Sequence, residues 1–143
     1  MRAVTMGRSV TRGEETDMHE MALVHGVVDG VLEHAERIGA SEVKAVHLTI
    51  GEGRDVVEDF MQGLFSFLAR DTPAEHAKLV VRRVPYTVRC NRCGCVFPLN
   101  VRDSSTWTCP QCNAARDYRL NSGMEFVIDR IQVVGDIQLD NAV

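Results

Sequence analysis

Apolar residues recur at steps of three and four between Met18 and Ile38, which is the period of an amphipathic helix with one buried face. The stripe comprises Met21, Val24, Val27, Val28, Val31, Leu32, Ala35 and Ile38. Asp17 stands three residues before Glu20, the spacing of a capping box that binds the unpaired N–H groups of a first turn. We therefore predict a helix that begins at about Met18 and ends at Gly39.

The pattern changes to alternation after this helix. Residues 43–50 alternate between apolar and polar side chains, as a half-buried strand does. Residues 77–84 and 124–133 are rich in β-branched side chains and predict two further strands. A cysteine-rich segment separates the second strand from the third, so we expect it to form an insertion before the last strand.

A second amphipathic stripe covers residues 56–70 and predicts a second helix. Its apolar members are Val57, Phe60, Met61, Leu64, Phe67 and Leu68. Asp55 and Glu58 again have the spacing of a capping box, and Thr72-Pro73 suits the end of the helix. The predicted fold class is therefore α+β, with two helices packed on a three-stranded sheet.

The length of 143 residues, 45% of them hydrophobic, allows one modest core plus a small lobe. We expect residues 18–85 and 122–143 to form the α+β domain and residues 86–121 to form the inserted lobe. Residues 1–17 are polar and lack the apolar stretch of a secretory signal, so we expect a disordered leader. No apolar run could span a bilayer, and the expectation is a soluble, cytoplasmic protein.

Four cysteines in the lobe follow the pattern C-x₂-C-x₁₅-C-x₂-C, and they are Cys90, Cys93, Cys109 and Cys112. Two residues between paired cysteines let a tight turn direct both sulfurs at one ion, and four thiolates suit tetrahedral Zn²⁺. The prediction is an inserted zinc-ribbon lobe whose site is structural, because four protein ligands leave no open position. Disulfides and an iron–sulfur cluster are the alternatives. Cys95 is predicted to be a bystander thiol.

Charge is distributed unevenly along the chain, whose formal net charge is −4. Residues 78–120 hold eight basic and two acidic side chains, a formal +6, which leaves −10 for the remainder. A basic zinc-ribbon module that binds nucleic acid is therefore an alternative function. Against it, the aromatic residues of the lobe show no regular pattern for base stacking; they are Tyr86, Phe97, Trp107 and Tyr118.

Several short motifs together resemble the hydrogenase nickel-incorporation protein family, HypA. They are the opening Met18-His19-Glu20, then Ile50-Gly51-Glu52, Val84-Pro85, the paired cysteines and the segment from Ser122 to Phe126. The resemblance covers residues 18 to about 134. The cysteine pairs and the Met-His-Glu opening are its specific parts, and the other motifs support it.

The resemblance implies a nickel metallochaperone that takes Ni²⁺ as transient cargo for maturation of the [NiFe]-hydrogenase. It implies that His19 supplies the anchoring imidazole, with Met18 and Glu20 adjacent, while Zn²⁺ stays as a structural ion. The implied partners are a HypB-type GTPase and the hydrogenase large subunit, with urease maturation as a further possibility. No membrane partner is implied, and nucleic acid is not expected on this reading.

Seventeen residues precede Met18, whereas in the family this methionine is the mature N-terminus with a free amine. Within a longer chain that amine becomes an amide, which is a poorer nickel ligand. Two explanations stay open: translation starts at Met18, or this member binds Ni²⁺ through a different ligand set. A nickel-free structural adaptor in the maturation assembly is a further alternative.

The other histidines have no metal partner at short spacing in the sequence. His25 and His34 lie nine residues apart on the first helix, face different sides and are expected at the surface. His47 and His76 are assigned no function. The sequence shows no nucleophilic triad, phosphate-binding glycine loop or paired acid and base, so we expect no enzyme and no catalytic residues.

Overall fold

Seven strands and two α-helices make up the described part of the chain in the computed structural model, which consists of residues 2–9 and 19–135. In chain order the elements are β1 (Arg2–Ser9), α1 (His19–Ile38), β2 (Ala40–Gly51), α2 (Glu58–Leu68), β3 (Lys78–Val84), β4 (Thr87–Cys90), β5 (Val96–Pro98), β6 (Tyr118–Ser122) and β7 (Phe126–Gly135). A short 3₁₀ turn covers Ser104–Thr106. Neither described helix is long and apolar enough to cross a membrane.

The strands form two sheets. One has four strands in the order β1-β7-β2-β3, and the other has three strands in the order β5-β4-β6. The described residues also divide into two compact units. The helical unit consists of residues 2–9, 19–49, 56–82 and 126–135, and the ribbon unit consists of Ile50–Asp55 and Arg83–Glu125. The lobe predicted at residues 86–121 lies within the ribbon unit.

The predicted α+β class is confirmed, since α1, α2 and the three expected strands are present. The core of the helical unit is apolar, as the helical and strand patterns predict. Its largest fully buried side chains include Val24, Val27, Val31, Ile38, Val43, Leu48, Met61, Phe65, Phe126, Ile128 and Ile131. His34 is also buried, with 7% of its surface exposed, so its predicted surface position is wrong. It lies three residues after the buried Val31, on the inner side of α1.

The sheet has a fourth strand that the sequence analysis does not predict. Residues 2–9 form β1, which pairs antiparallel with β7 from Arg2 opposite Val133 to Ser9 opposite Val127. The expected disorder is therefore wrong for residues 2–9. Residues 10–17, for which disorder was also expected, lie outside the described part of the chain. Backbone hydrogen bonds to a neighbouring strand can hold an edge strand that has few apolar side chains. In β1, the side chain of Val4 is buried.

The start of α2 differs from the predicted capping box. The helix begins at Glu58 instead of residue 56, and its N-cap residue is Val57, which makes no side-chain cap hydrogen bond. Asp55 lies two residues before this N-cap and is not in the capping position. The N–H of Val57 donates instead to Glu20 Oε1 at 3.3 Å. Asp17, proposed to cap α1, lies outside the described residues.

Candidate metal centre

The first cysteine pair lies in a turn that begins at the end of β4. Cys90 N–H donates to Cys95 O at 2.8 Å, and Gly94 N–H donates to Cys90 O at 3.0 Å. Arg92 N–H points at the sulfur itself and lies 3.3 Å from Cys90 Sγ. These bonds fold Cys90 and Cys93 onto the same side of the turn.

The second cysteine pair repeats this arrangement. Cys109 N–H donates to Ala114 O at 2.9 Å, and Asn113 N–H donates to Cys109 O at 3.0 Å. Gln111 N–H lies 3.4 Å from Cys109 Sγ. The lobe therefore presents two copies of one sulfur-binding turn, although the residues between and after the cysteines differ.

Each turn also requires one residue in the left-handed region immediately after its second cysteine. Gly94 has a φ of 80° and Asn113 has a φ of 62°. Glycine adopts this conformation without steric cost, and asparagine tolerates it better than most residues. The residue types at these two positions explain why both turns close in the same way.

The two turns bring the four sulfurs together. Their Sγ atoms all lie within 4.8 Å of one another, a group that could hold one metal ion. The closest contacts join the two turns: Cys90 Sγ lies 3.6 Å from Cys112 Sγ, and Cys93 Sγ lies 3.5 Å from Cys109 Sγ. Four sulfurs bound tetrahedrally at about 2.3 Å from Zn²⁺ are separated by roughly 3.8 Å, so the donor set fits this ion.

The backbone N–H groups of the turns influence how readily the thiols ionise. The N–H of Cys93 donates toward Cys90 Sγ and lowers the pKa of the Cys90 thiol. Burial raises the pKa of Cys109, but the N–H groups of Cys112 and Gln111, together with the thiols of Cys93 and Cys112, outweigh burial and bring this pKa to about 6. The pKa of Cys93 is raised to about 12, because burial and the neighbouring sulfurs outweigh a backbone N–H that lowers it. A divalent cation that binds all four sulfurs must therefore displace protons.

The ligands are also part of the small core of the ribbon unit. Cys90 and Cys109 are buried, whereas Cys93 and Cys112 are exposed. The other buried members of this core are Val88, Phe97, Leu99 and Ala114, with Tyr86, Trp107 and Tyr118 packed against them. Because so few apolar side chains surround the two buried cysteines, a bound ion would supply much of the crosslinking in this unit.

The fifth cysteine is not a member of the group of four sulfurs, although its thiol contacts that of Cys109. Cys95 is half-buried, and its Sγ lies 3.7 Å from the backbone oxygen of Val96. Burial raises the pKa of its thiol. At neutral pH Cys95 is therefore a protonated side chain that packs against the small core and contributes to the first turn through its backbone oxygen.

Three of the supporting sequence motifs contact one another within the ribbon unit through backbone hydrogen bonds. These contacts do not follow from the sequence. The bonds run from Gly51 N–H to Glu125 O (2.8 Å), from Glu52 N–H to Val84 O (2.7 Å) and from Gly53 N–H to Gly123 O (2.7 Å). A Cβ atom added at Gly51 would lie 2.0 Å from the backbone carbon and oxygen of Gly123. The signal in the sequence was the presence of glycine in two of these motifs, because glycine permits such close backbone approach.

The residues predicted to bind nickel lie at the limit of the described part. Met18 is outside it, as is the side chain of His19, whose backbone begins α1. Glu20 is described, and its carboxylate accepts the N–H of Val57. Three other histidines are exposed or half-buried: His25 Nδ1 lies 3.1 Å from Asp29, His47 Nε2 lies 3.3 Å from Gln132, and His76 Nε2 lies 3.9 Å from Glu75.

Within the described residues, the fold and the four-sulfur group define a small α+β protein that carries a metal-binding ribbon. The family model that matches residues 18–133 is described as hydrogenase/urease nickel incorporation, metallochaperone, HypA. The chain belongs to this family, as the sequence motifs predicted.

Relatives in the family match along almost their full length. The hydrogenase maturation factor HypA of Chlorobaculum parvum is 34% identical over 116 residues, which cover 81% of this chain and 99% of that protein. The protein of the same name from Pyrococcus furiosus is 31% identical over 134 residues, which cover 81% of this chain and 96% of that protein.

Two solved structures have a similar fold. The solution structure of the Ni metallochaperone HypA from Helicobacter pylori has a TM-score of 0.58 and 19% identity, and the match covers 82% of this chain and 98% of that one. A second solution structure of a HypA protein has a TM-score of 0.63 and 20% identity, with 85% and 100% covered. At these identities the two structures support the fold alone.

Proposed function

We propose that this protein binds Ni²⁺ at the Met18-His19-Glu20 segment and delivers it during maturation of [NiFe]-hydrogenase. The observation that carries the proposal is the family match, which begins at Met18 and includes the four cysteines. Imidazole and backbone nitrogen donors suit Ni²⁺, and His19 supplies both at the start of α1. A HypB-type GTPase and the hydrogenase large subunit are the proposed partners, with urease maturation as a second destination.

The nickel proposal is tested by calorimetry with Ni²⁺ on the zinc-loaded chain. His19→Ala should lose most of the binding, because it removes the anchoring imidazole. His25→Ala is the matched control, since His25 lies on the same helix, is exposed and pairs with Asp29. Equal nickel binding by the His19→Ala variant and the unmodified protein would refute the role of His19, and no binding by either would favour the structural adaptor.

The residues before Met18 give the proposal a second test. A chain that begins at Met18 offers a free amine next to the imidazole of His19, whereas the full chain offers an amide. If the amine is a ligand, the shorter chain should bind Ni²⁺ more tightly. Equal affinity of the two chains would instead assign the binding to His19 and its neighbouring side chains and backbone.

We infer that the four thiolates hold one structural Zn²⁺. Support comes from the sulfur separations, the closed set of four donors and the N–H groups directed at two of the sulfurs. Elemental analysis of the purified protein should give one zinc per chain. Stoichiometric iron with a visible charge-transfer band would mean that the site holds iron.

The positions of the arginines argue against nucleic-acid binding as the main function. Several guanidinium groups of the ribbon unit have partners within that unit. Arg83 donates to the backbone oxygens of Ile50, Gly51 and Arg54, Arg89 to that of Gly94 and Arg119 to the side chain of Asn91, while Arg116 lies 4.9 Å from the Trp107 ring centroid. These contacts give much of the basic charge a structural role.

A further inference from the structure

One face of the three-stranded sheet in the ribbon unit carries a row of side chains that crosses all three strands. Arg89 of β4 lies opposite Val96 of β5 on one side and opposite Arg119 of β6 on the other. Val96 is 42% exposed, and Arg119 is also exposed. Val88 and Phe97 point to the other face, where they are buried in the small core. The row of Val96, Arg89 and Arg119, which we call the arginine row, therefore faces away from that core.

The two arginines of the row lie directly opposite each other and have no acidic partner among the described residues. Like charges in this position destabilise a sheet. Their contacts are with uncharged oxygens: Arg89 donates to Gly94 O at 3.0 Å and to Asn121 Oδ1 at 3.4 Å, and Arg119 donates to Asn91 Oδ1 at 2.7 Å. A like-charge pair on an exposed face points to a negatively charged group from outside the chain, because such a group offsets the repulsion.

The hydrogen bonds hold the guanidinium groups in place and leave them able to bind more. A guanidinium has five N–H donors, and these bonds occupy two in Arg89 and one in Arg119. Asn91 is itself oriented by Asp117, to which its amide donates at 2.9 Å. A guanidinium that is already positioned loses less entropy when it binds a carboxylate, and the charge-assisted bonds that form are strong.

The charge of the ribbon unit favours a protein segment over a nucleic acid as the occupant. The unit has seven arginines and five acidic residues, a formal +2, which four thiolates on one Zn²⁺ would reduce to zero. A nucleic acid is attracted by the combined charge of many cations, which this unit lacks. A short acidic segment needs only the local pair of arginines and can also place an apolar side chain on Val96.

We propose that the arginine row is a docking surface for an acidic segment of a partner protein. Carboxylates of the segment pair with Arg89 and Arg119, and an adjacent apolar side chain packs on Val96. Arginine is enriched in protein interfaces, and its planar fork binds carboxylates in a fixed geometry. The inference concerns partner recognition and does not depend on nickel binding.

The test is an NMR titration of the full, zinc-loaded chain with two short peptides whose termini are blocked. One has the sequence Glu-Leu-Glu-Leu-Glu, and the other has glutamine in place of each glutamate. The acidic peptide should shift the backbone amides of residues 87–90, 96–97 and 118–122 with a Kd of roughly 0.1–1 mM. Added salt should weaken this binding, and the glutamine peptide should bind about tenfold more weakly or less.

Arg119→Gln should weaken binding of the acidic peptide about tenfold, because it removes one charge while its amide can still donate to Asn91. Arg102→Gln is the matched control, since it removes the same charge from an exposed position of the same unit outside the row. It should leave the Kd unchanged. The zinc content and circular dichroism of both variants should match those of the unmodified protein, which shows that the fold is retained.

Three results would overturn the proposal. The first is the absence of shifts in the three strands at millimolar concentrations of the acidic peptide. The second is an equal effect of Arg119→Gln and Arg102→Gln, because net charge alone would then explain the binding. The third is a single-stranded oligonucleotide that shifts the same amides at a lower concentration than the peptide does, which would assign the row to nucleic acid.

Discussion

Asn113 takes the place in the second cysteine turn that Gly94 takes in the first. Both residues have positive φ and donate their N–H to the oxygen of the first cysteine in the turn. A sequence comparison of the two turns, Cys-Asn-Arg-Cys-Gly and Cys-Pro-Gln-Cys-Asn, does not reveal this equivalence without the backbone conformation. The turns are therefore more alike in structure than in sequence.

Substitution of Asn113 tests whether the left-handed conformation limits the stability of the site. Asn113→Val should cost roughly 1–2 kcal/mol, because a β-branched side chain disfavours positive φ. Asn113→Gly should be neutral or slightly stabilising. The measurement is the chelator concentration at which half of the zinc is lost. Gly94→Asn is the control and should keep its zinc; equal midpoints for the valine and glycine variants would contradict the argument.

Cys93 and Cys95 are separated by one residue and should respond differently to replacement by serine. Cys93→Ser removes a member of the sulfur group and should lower the zinc content and stability of the ribbon unit. Cys95→Ser should leave one zinc per chain, since its sulfur lies outside the group. Elemental analysis of the two variants decides the matter. Zinc loss in the Cys95 variant would mean that this thiol takes part in metal binding.

At the scale of elements, two glycines have opposite surroundings. Gly51 ends β2 against the backbone of Gly123, whereas Gly63 lies on the exposed side of α2 with nothing within 4 Å of an added Cβ. Gly51→Ala should therefore destabilise the protein, at the upper end of the roughly 1–3 kcal/mol typical of overpacking.

Gly63→Ala is the matched control and should stabilise α2 by roughly 0.5–1 kcal/mol, because alanine favours a helix interior. Urea denaturation at low micromolar protein concentration measures both changes. A Gly51→Ala variant as stable as the unmodified protein would mean that the close approach to Gly123 is not required.

Both helices and the strand β2 follow from apolar spacing, because a buried face needs that spacing. The strands β3 and β7 follow from their content of β-branched residues. The strand β1 is not predicted, because the edge of β7 supplies its backbone partners and this pairing leaves no signal in the sequence of β1 itself. The start of α2 is mispredicted, because the spacing of Asp55 and Glu58 alone does not determine where the first helical turn begins.

At the scale of the molecule, the two units differ in what stabilises them. The helical unit has a large apolar core, and the ribbon unit has a small core that includes two metal ligands. Removal of zinc by a chelator should therefore unfold the ribbon unit and leave the helical unit folded. Trp107 is the only tryptophan of the chain and reports on the ribbon unit, where its Nε1–H donates to Asn100 O at 2.9 Å.

Chelation should shift the fluorescence of Trp107 to longer wavelength, as the ring becomes exposed to water. Hydrogen exchange should then show lost protection in residues 83–125 and retained protection in the core of α1 and β2. Phe97→Ala is a useful comparison, because it weakens the same unit without removing a ligand. Equal loss of protection in both units after chelation would contradict this assignment.

The spacing of the four cysteines in the sequence predicts that they form one metal site, because a turn of fixed length has to direct two sulfurs at one ion. Spacing does not predict which cysteines are buried, since Cys90 and Cys109 belong to a small core whose members come from separate parts of the ribbon unit, such as Val88, Phe97 and Ala114. The nickel assignment rests on family resemblance, because three consecutive residues impose no spacing that could identify a metal. His19 therefore stays a prediction.

The longer segment of the ribbon unit, Arg83–Glu125, begins and ends beside adjacent strands. Thr87 at the start of β4 lies opposite Ser122 at the end of β6, and their hydroxyl oxygens are 2.6 Å apart. In the folded ribbon unit this contact holds together the two ends of a long excursion of the chain, and the entropy of closing such a loop grows only slowly with its length. During evolution, residues outside the two cysteine turns could therefore be gained or lost in this loop at little entropic cost.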